Sequence, residues 1–283
     1  MQFRRTALVA ALSVVALTAA ACGDDAEFEA GSTMAEIQDQ GTVTVGTKFD
    51  QPGFGLLGLD DKPEGFDVEV AKIIAGAMGV AEDDIEWVES PSDIREQLIE
   101  DGDVDFVVAT YTINDERKQR ITFAGPYYEA GQMLMTLADN DAYEGPEDIA
   151  DNPDDKICSV TGSTPSENIK EYLASDDQLV LFDIYDKCAD ALRTGQVDVV
   201  TTDNVILAGF VSQSDGEFKL VGEQFTEEPY GIGITKGDTA FCEFINKTLT
   251  DAVADGSYAA AWSGTAGKVQ EEVPQLPPAG ACS

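Results

Sequence analysis

No histidine occurs in this sequence. That removes the usual Ser–His and Cys–His nucleophile pairs. There is no Cys-x-x-Cys either, so little remains to hold a transition metal, and no cofactor is expected. Basic residues are scarce: 17 Lys and Arg stand against 54 Asp and Glu, a net charge of −37. Nucleic acid and anionic lipid need clustered Lys and Arg, so neither fits as a partner. The same scarcity makes any arginine placed at a strand end conspicuous. The one early apolar run, Ala7 to Leu17, is too short to span a bilayer.

What is present points to a folded, exported chain. Over 283 residues, 43% are hydrophobic and 25% charged, and periodic segments run along most of the length. That composition is globular, with room for one large domain or two lobes. Arg4 and Arg5, the apolar run and Thr18-Ala19-Ala20-Ala21 occur in the order of a secretory signal over residues 1–21. Cys22 follows directly, and the junction resembles a bacterial lipobox, with Ala19 where Leu is usual. Cys22 is therefore expected to carry lipid, followed by an acidic tether over 22–32. Removal of Arg4 and Arg5 leaves 15 basic residues against 54 acidic ones, a net charge of −39.

Four cysteines remain: Cys158, Cys188, Cys242 and Cys282. An even count in an exported chain implies disulfides, and three connectivities can be drawn. Cys158–Cys188 and Cys242–Cys282 are preferred, because each pair falls within one compact segment of the organisation that follows.

Strand and helix signals alternate. Val43–Val45, Ile85–Val88, Val104–Ala109, Ile157–Val160, Leu179–Phe182 and Val197–Thr201 read as strands. Between them, Phe66–Met78, Ile94–Glu100, Ser166–Leu173, Asp186–Arg193 and Val205–Val211 read as helices. This is an α/β pattern with largely parallel sheets. Two stretches echo each other, IEDGDVDFVVAT (99–110) and LRTGQVDVVTTD (192–203). Each runs from a helix end through Gly and Val-Asp into a strand with a polar tip. Ligands in open α/β sheets bind beyond the carboxyl ends of the strands. Two such units facing each other would set Thr110 and Asp203 across one cleft.

The stretch after the first tip, ATYTINDERKQRITFAGPYY (109–128), is unusual. A buried strand ends on Thr110 and Thr112. Asn114 then reads as a helix N-cap, with Asp115 and Glu116 in support. Arg117 falls in that first turn, near the strand end, where its planar fork suits a carboxylate. The competing reading is a surface ion pair with a neighbouring acid, worth little.

PEGFDVEVAKIIAGAMG, the stretch from Asp101 to Tyr128, CSVTGSTPSENIK, DVVTTDN and YGIGITKGD together resemble solute-binding protein family 3, the polar amino-acid-binding proteins of bacterial ABC importers. The likeness spans roughly residues 35 to 265. VGTKFDQPG, WVESPSDIREQLI and the cysteines of ICSV and DKCADAL are most similar to the glutamate-binding lipoproteins of actinobacteria. The resemblance implies a type II periplasmic-binding fold of two α/β lobes, each a mainly parallel sheet flanked by helices. Lobe 1 would hold residues 33–126 plus 231–276 and lobe 2 residues 132–225. Hinge crossings would lie at 127–131 and 226–230, ahead of a tail at 277–283. It implies an exported monomer, held by Cys22 at the outer face of the cytoplasmic membrane, that delivers an amino acid to permease subunits.

The resemblance also implies roles. Arg117 would grip the ligand α-carboxylate, supported by Thr112. Thr110 would offer its carbonyl to the α-ammonium and Asp203 would pair with it. Ser163 and Thr164 would donate from a helix start. Lys48 and Arg95 stand where acidic-amino-acid binders carry basic residues, and Ser92 stands where glutamine and basic-amino-acid binders often carry an aromatic. A buried cation favours a carboxylate over an amide that would leave it unpaired. Glutamate is therefore expected, with aspartate next and glutamine or asparagine as alternatives. Proteins of this fold include dehydratases and ligand-loaded sensors that bind a membrane receptor. No carboxylate pair or activated nucleophile here supports an enzyme.

Overall fold

The computed structural model describes residues 28–282. The signal segment, Cys22 and the start of the tether lie outside them. Two five-stranded sheets form the two lobes. In the first, the strand Val43–Thr47 pairs parallel with Ile85–Glu89 on one side and Phe106–Val107 on the other. In the second, Ile157–Val160 pairs parallel with Leu179–Phe182 and Val199–Asp203. These are the segments whose apolar runs read as buried strands. Each sheet is completed by two antiparallel strands. Thr122–Ala130 and Glu228–Ile234 close the first, and Gln132–Leu137 and Phe218–Val221 close the second. The sheets are therefore mixed, with the parallel half of each carrying the crossover helices.

Among the boundaries that differ from the sequence reading, two have visible reasons. The strand expected over Val104–Ala109 is paired only at Phe106–Val107. Its backbone continues to bond the neighbouring strand through Val108 N–H and Gly46 C=O, then turns sharply because Thr110 adopts φ 44°. The helix read over Ser166–Leu173 is Thr164–Asn168 followed by a 3-10 turn, Ile169–Tyr172, started by Ser163 as N-cap. The helices Phe66–Ala77, Arg95–Asp101 and Tyr185–Arg193 lie where periodicity predicts them.

The chain passes between the sheets at adjoining segments. Tyr128 pairs with Tyr230 and Ala130 with Glu228. Beneath this crossing, Phe54, Phe66, Tyr128, Tyr230 and Trp262 form an edge-to-face and stacked aromatic cluster, and all are buried. Such pairs add about 0.5–1.5 kcal/mol each beyond area burial. The disulfide Cys158–Cys188 ties a strand of the second sheet to the helix Tyr185–Arg193. Cys242–Cys282 fastens the irregular C-terminal segment to the helix Thr239–Asp255. Both pairings are the ones preferred from the sequence. Among the described residues no helix is long and apolar enough to cross a membrane.

Candidate functional site

The carboxyl ends of the parallel strands of both sheets meet at one narrow cavity. Its volume is about 10 Å³, room for about one water. From the first lobe it is lined by Gln51, Ser92, Arg95, Thr110 and Thr112, and from the second by Ser163, Thr164, Pro165, Tyr185, Thr202, Asp203 and Ile206.

Each wall residue is there for a local reason. Lys48 follows the strand Val43–Thr47, and its ammonium donates to Ser92 Oγ at 2.9 Å. Arg95 opens its helix, lies 3.8 Å over the Tyr111 ring and donates to the Ala109 carbonyl at 2.9 Å. A guanidinium stacked on an aromatic face keeps its edge for hydrogen bonds. Thr110 is held in the left-handed region, rare for a β-branched residue. Its N–H donates to Asp67 Oδ2 at 2.7 Å and its hydroxyl to Gln51 Oε1 at 3.0 Å. Asn114 accepts from the Arg117 N–H, as a capping residue should. On the far side, Asp203 ends its strand and accepts from the Tyr230 hydroxyl at 2.6 Å.

Seven of the nine predicted ligand residues line this cavity: Ser92, Arg95, Thr110, Thr112, Ser163, Thr164 and Asp203. Two do not. Lys48 is buried behind Ser92. Arg117 lines the adjoining outer groove together with Ser92, Glu96, Ser163 and Thr164. Its guanidinium donates to the Thr112 carbonyl at 2.7 Å and to the Gly162 carbonyl of the other lobe at 3.0 Å, with Glu96 at 3.2 Å. Arg117 is therefore buried and bridging, and its partners differ from those of a surface ion pair.

Electrically the site is divided. Burial, then repulsion from Arg95, lowers the Lys48 ammonium to about 7. Burial, then the Arg95 charge, brings Arg117 down to about 10. Burial, then the Glu228 charge, raises the Asp203 carboxyl to about 7. All three are held away from water at a cost that an opposite charge would offset. Among the described residues, Arg95 Nε, Asp203 Oδ1, Gln51 Nε2, Thr202 Oγ1 and Tyr185 OH are buried and lack a hydrogen-bond partner. Buried polar atoms are almost always paired; these five belong to residues of one cavity, and Thr47, Ser90, Tyr111 and Glu228 carry four others outside its lining. A small ligand bearing both charges is the chemistry that would satisfy them. The lobes touch around it. Thr164 donates to Thr112 at 3.1 Å, and Gly162 approaches Asp93 so closely that a Cβ would lie 2.7 Å from its Cα.

Sequence reasoning missed Gln51, Tyr185, Thr202 and Asp67. Thr202 had a usable signal, since it precedes Asp203 in the same strand tip. Asp67 is fully buried on the core face of its helix, where a carboxylate should draw notice.

Two lobes around a polar cavity at strand ends form the architecture of a solute-binding protein. Comparison with known proteins agrees: residues 43–263 match the bacterial extracellular solute-binding proteins, family 3, and the chain belongs to that family. It is 42% identical to the glutamate-binding protein GluB of Corynebacterium efficiens, over 90% of this chain and 88% of that protein. It is 36% identical to the ABC transporter glutamine-binding protein GlnH of Bacillus subtilis, over 89% of this chain and 92% of that protein. Among solved structures it is similar to an ancestral arginine-binding protein bound to glutamine, at 34% identity and TM-score 0.73, covering 80% of this chain and 97% of that one.

Proposed function

We propose that this protein captures glutamate, and aspartate less tightly, for an ABC importer. The observation that carries this is the divided cavity. Asp203 Oδ1 stands without a partner in the second lobe, and Arg95, backed by Lys48, brings buried positive charge from the first. Asp203 pairs with the α-ammonium, helped by the Thr110 carbonyl. Arg117 takes the α-carboxylate with Thr112, Ser163 and Thr164, exchanging its bond to the Gly162 carbonyl. Arg95, Lys48 and Ser92 hold the side-chain carboxylate. Residues 127–131 and 226–230 act as the hinge on which lobes 33–126 plus 231–276 and 132–225 close. Cys22 carries the lipid that keeps the protein at the outer face of the membrane, beside the permease subunits. The 42% relative that binds glutamate supports the same ligand.

Glutamine is the second reading, favoured by the 36% relative and by a Lys48 ammonium that burial makes easy to neutralise. Calorimetric titration of ligand-free protein with glutamate, aspartate, glutamine and asparagine decides between them. Glutamate should bind most tightly, and a clear preference for glutamine would overturn the assignment.

A further inference from the structure

Asp67 lies in the first turn of the helix Phe66–Ala77, fully buried, where an apolar side chain would cost less. Burial raises its carboxyl to about 7, against the pull of its hydrogen bonds. Two neutral donors meet it. The Tyr127 hydroxyl donates to Oδ1 at 2.6 Å, and the Thr110 N–H donates to Oδ2 at 2.7 Å. Tyr127 is itself braced. It is fully buried, and its carbonyl accepts from the Tyr258 hydroxyl at 2.7 Å. Asp67 therefore reaches from a fixed tyrosine to the tip of the first lobe's strand.

The peptide group between Ala109 and Thr110 carries the next step. Its N–H donates to Asp67, and its C=O accepts from Arg95 Nη1 at 2.9 Å. In a trans peptide these two groups point in opposite directions. A carboxylate and a guanidinium thus face each other across one planar unit. Linked hydrogen bonds polarise one another, so the carboxylate on the N–H strengthens the bond made by the C=O. The same tie holds Thr110 at φ 44°, the turn that sets the direction of the Ala109 carbonyl. Arg95 also lies 3.8 Å over the Tyr111 ring. Its Nε is buried without a partner, on a residue that lines the inner cavity.

We propose that Asp67 is a positioning residue for selectivity: through the peptide between Ala109 and Thr110 it fixes the Arg95 guanidinium, and with it the place where the ligand's side-chain carboxylate is held. This rests on the reading above that gives Arg95 that carboxylate. Asp67 itself touches no ligand. An Asp67 that served the fold alone would weaken all ligands alike when replaced. A charge acting at a distance would do the reverse of positioning, because removing it would draw an anionic ligand more strongly. Only positioning lowers the preference for glutamate when the charge is removed.

Calorimetry with glutamate and glutamine on wild type, Asp67→Asn, Arg95→Leu and the double variant tests this. Asn keeps the size of the side chain. Its amide oxygen can accept from Thr110 while its NH2 group donates to the Tyr127 oxygen, but both bonds become neutral and weaker. Asp67→Asn should lower the ratio of glutamate to glutamine affinity about threefold to tenfold. Asp67→Ala cuts the tie altogether and should lower the ratio at least as far; Asn carries the test if that variant does not fold. With Arg95→Leu already in place, Asp67→Asn should change the ratio by less than about twofold, because no guanidinium remains to be positioned. A ratio that Asp67→Asn raises, or leaves within about twofold of wild type, overturns the proposal, and so does an equal fall in both backgrounds. If wild type does not prefer glutamate, or Arg95→Leu leaves the ratio unchanged, the glutamate reading fails and this proposal with it. If both hold and only the Asp67 variants keep the wild-type ratio, this proposal alone fails.

Discussion

The stretches 99–110 and 192–203 invite comparison because they begin alike and end differently. Both start with a left-handed glycine after a helix, Gly102 at φ 72° and Gly195 at φ 68°. Val104 and Val197 are both buried. Asp105 then accepts from the Thr44 N–H at 2.7 Å, and Asp198 accepts from the Lys156 N–H at 2.8 Å. In each lobe the carboxylate stitches the incoming strand to its parallel neighbour. The tips diverge. Thr110 turns into the left-handed region and is held by Asp67, so the first lobe offers backbone. Asp203 keeps extended backbone at φ −68° and offers a carboxylate to the cavity. One scaffold thus serves two lobes, and the charge that distinguishes them is confined to the last residue and its neighbours.

The sharpest way to break this contrast is to remove the charge on each side. Arg117→Ala should abolish binding of every α-amino acid, whatever its side chain, and Asp203→Asn should weaken all of them likewise. A buried charge left without its partner loses ~3–5 kcal/mol. Calorimetry of both variants checks this. Arg117 binding within a few-fold of wild type would leave Arg95, which lines the inner cavity, as the arginine that takes the α-carboxylate.

The second lobe also carries a covalent tie at this level. Cys158–Cys188 spans 30 residues, a loop long enough to stabilise by roughly 3–4 kcal/mol in the chain-entropy model. The double Cys158→Ser, Cys188→Ser variant should unfold at lower denaturant by that amount, with the first lobe's transition less affected. A single unchanged transition would show that the lobes unfold as one unit and that the tie adds little.

Much of this scaffold was legible, and the reason is local. Gly102, Val104 and Asp105 sit within a few residues of one another, as do their counterparts, so periodicity and capping chemistry expose them. Thr110, Thr112, Arg117 and Asp203 stood out as polar groups at the ends of apolar runs. The resemblance to a known family then supplied roles that the residues alone did not. Asp67, Gln51 and Tyr185 were not legible, because what makes them matter is distant in sequence. Asp67 meets Thr110 across 43 residues, and Asp50 meets Tyr185 across 135. The crossing segments were placed only by the resemblance, and the pairing of Thr122–Ala130 with Glu228–Ile234 was hidden, since it joins parts of the chain that share no short-range pattern.

Selectivity is a smaller effect than binding itself. Arg95→Leu should lower the ratio of glutamate to glutamine affinity by at least about tenfold, or roughly 1.4 kcal/mol. The variant loses bonds to a carboxylate that an amide never fully made, and leaves that carboxylate desolvated. Measuring both ligands at low and high salt separates this from long-range attraction, which salt would screen. An unchanged ratio at both salts would remove Arg95 from the side-chain site.

The smallest expected effect isolates the turn that makes the two tips differ. Thr110 holds φ 44°, a conformation costly for any residue with a Cβ. Replacing it by Gly or by Ala removes the same hydroxyl, and with it the bond to Gln51. The two variants then differ in Cβ alone. At an ordinary position Ala is the more stable of the pair, because Gly loses more backbone freedom on folding. At a left-handed position the order reverses, since only Gly meets that backbone without steric penalty. Thr110→Gly should therefore be more stable than Thr110→Ala by about 1 kcal/mol, read as a shift in denaturation midpoint at constant slope. If Ala proves the more stable, the first strand ends extended as the second does, and the bond from Thr110 N–H to Asp67 does not hold the tip.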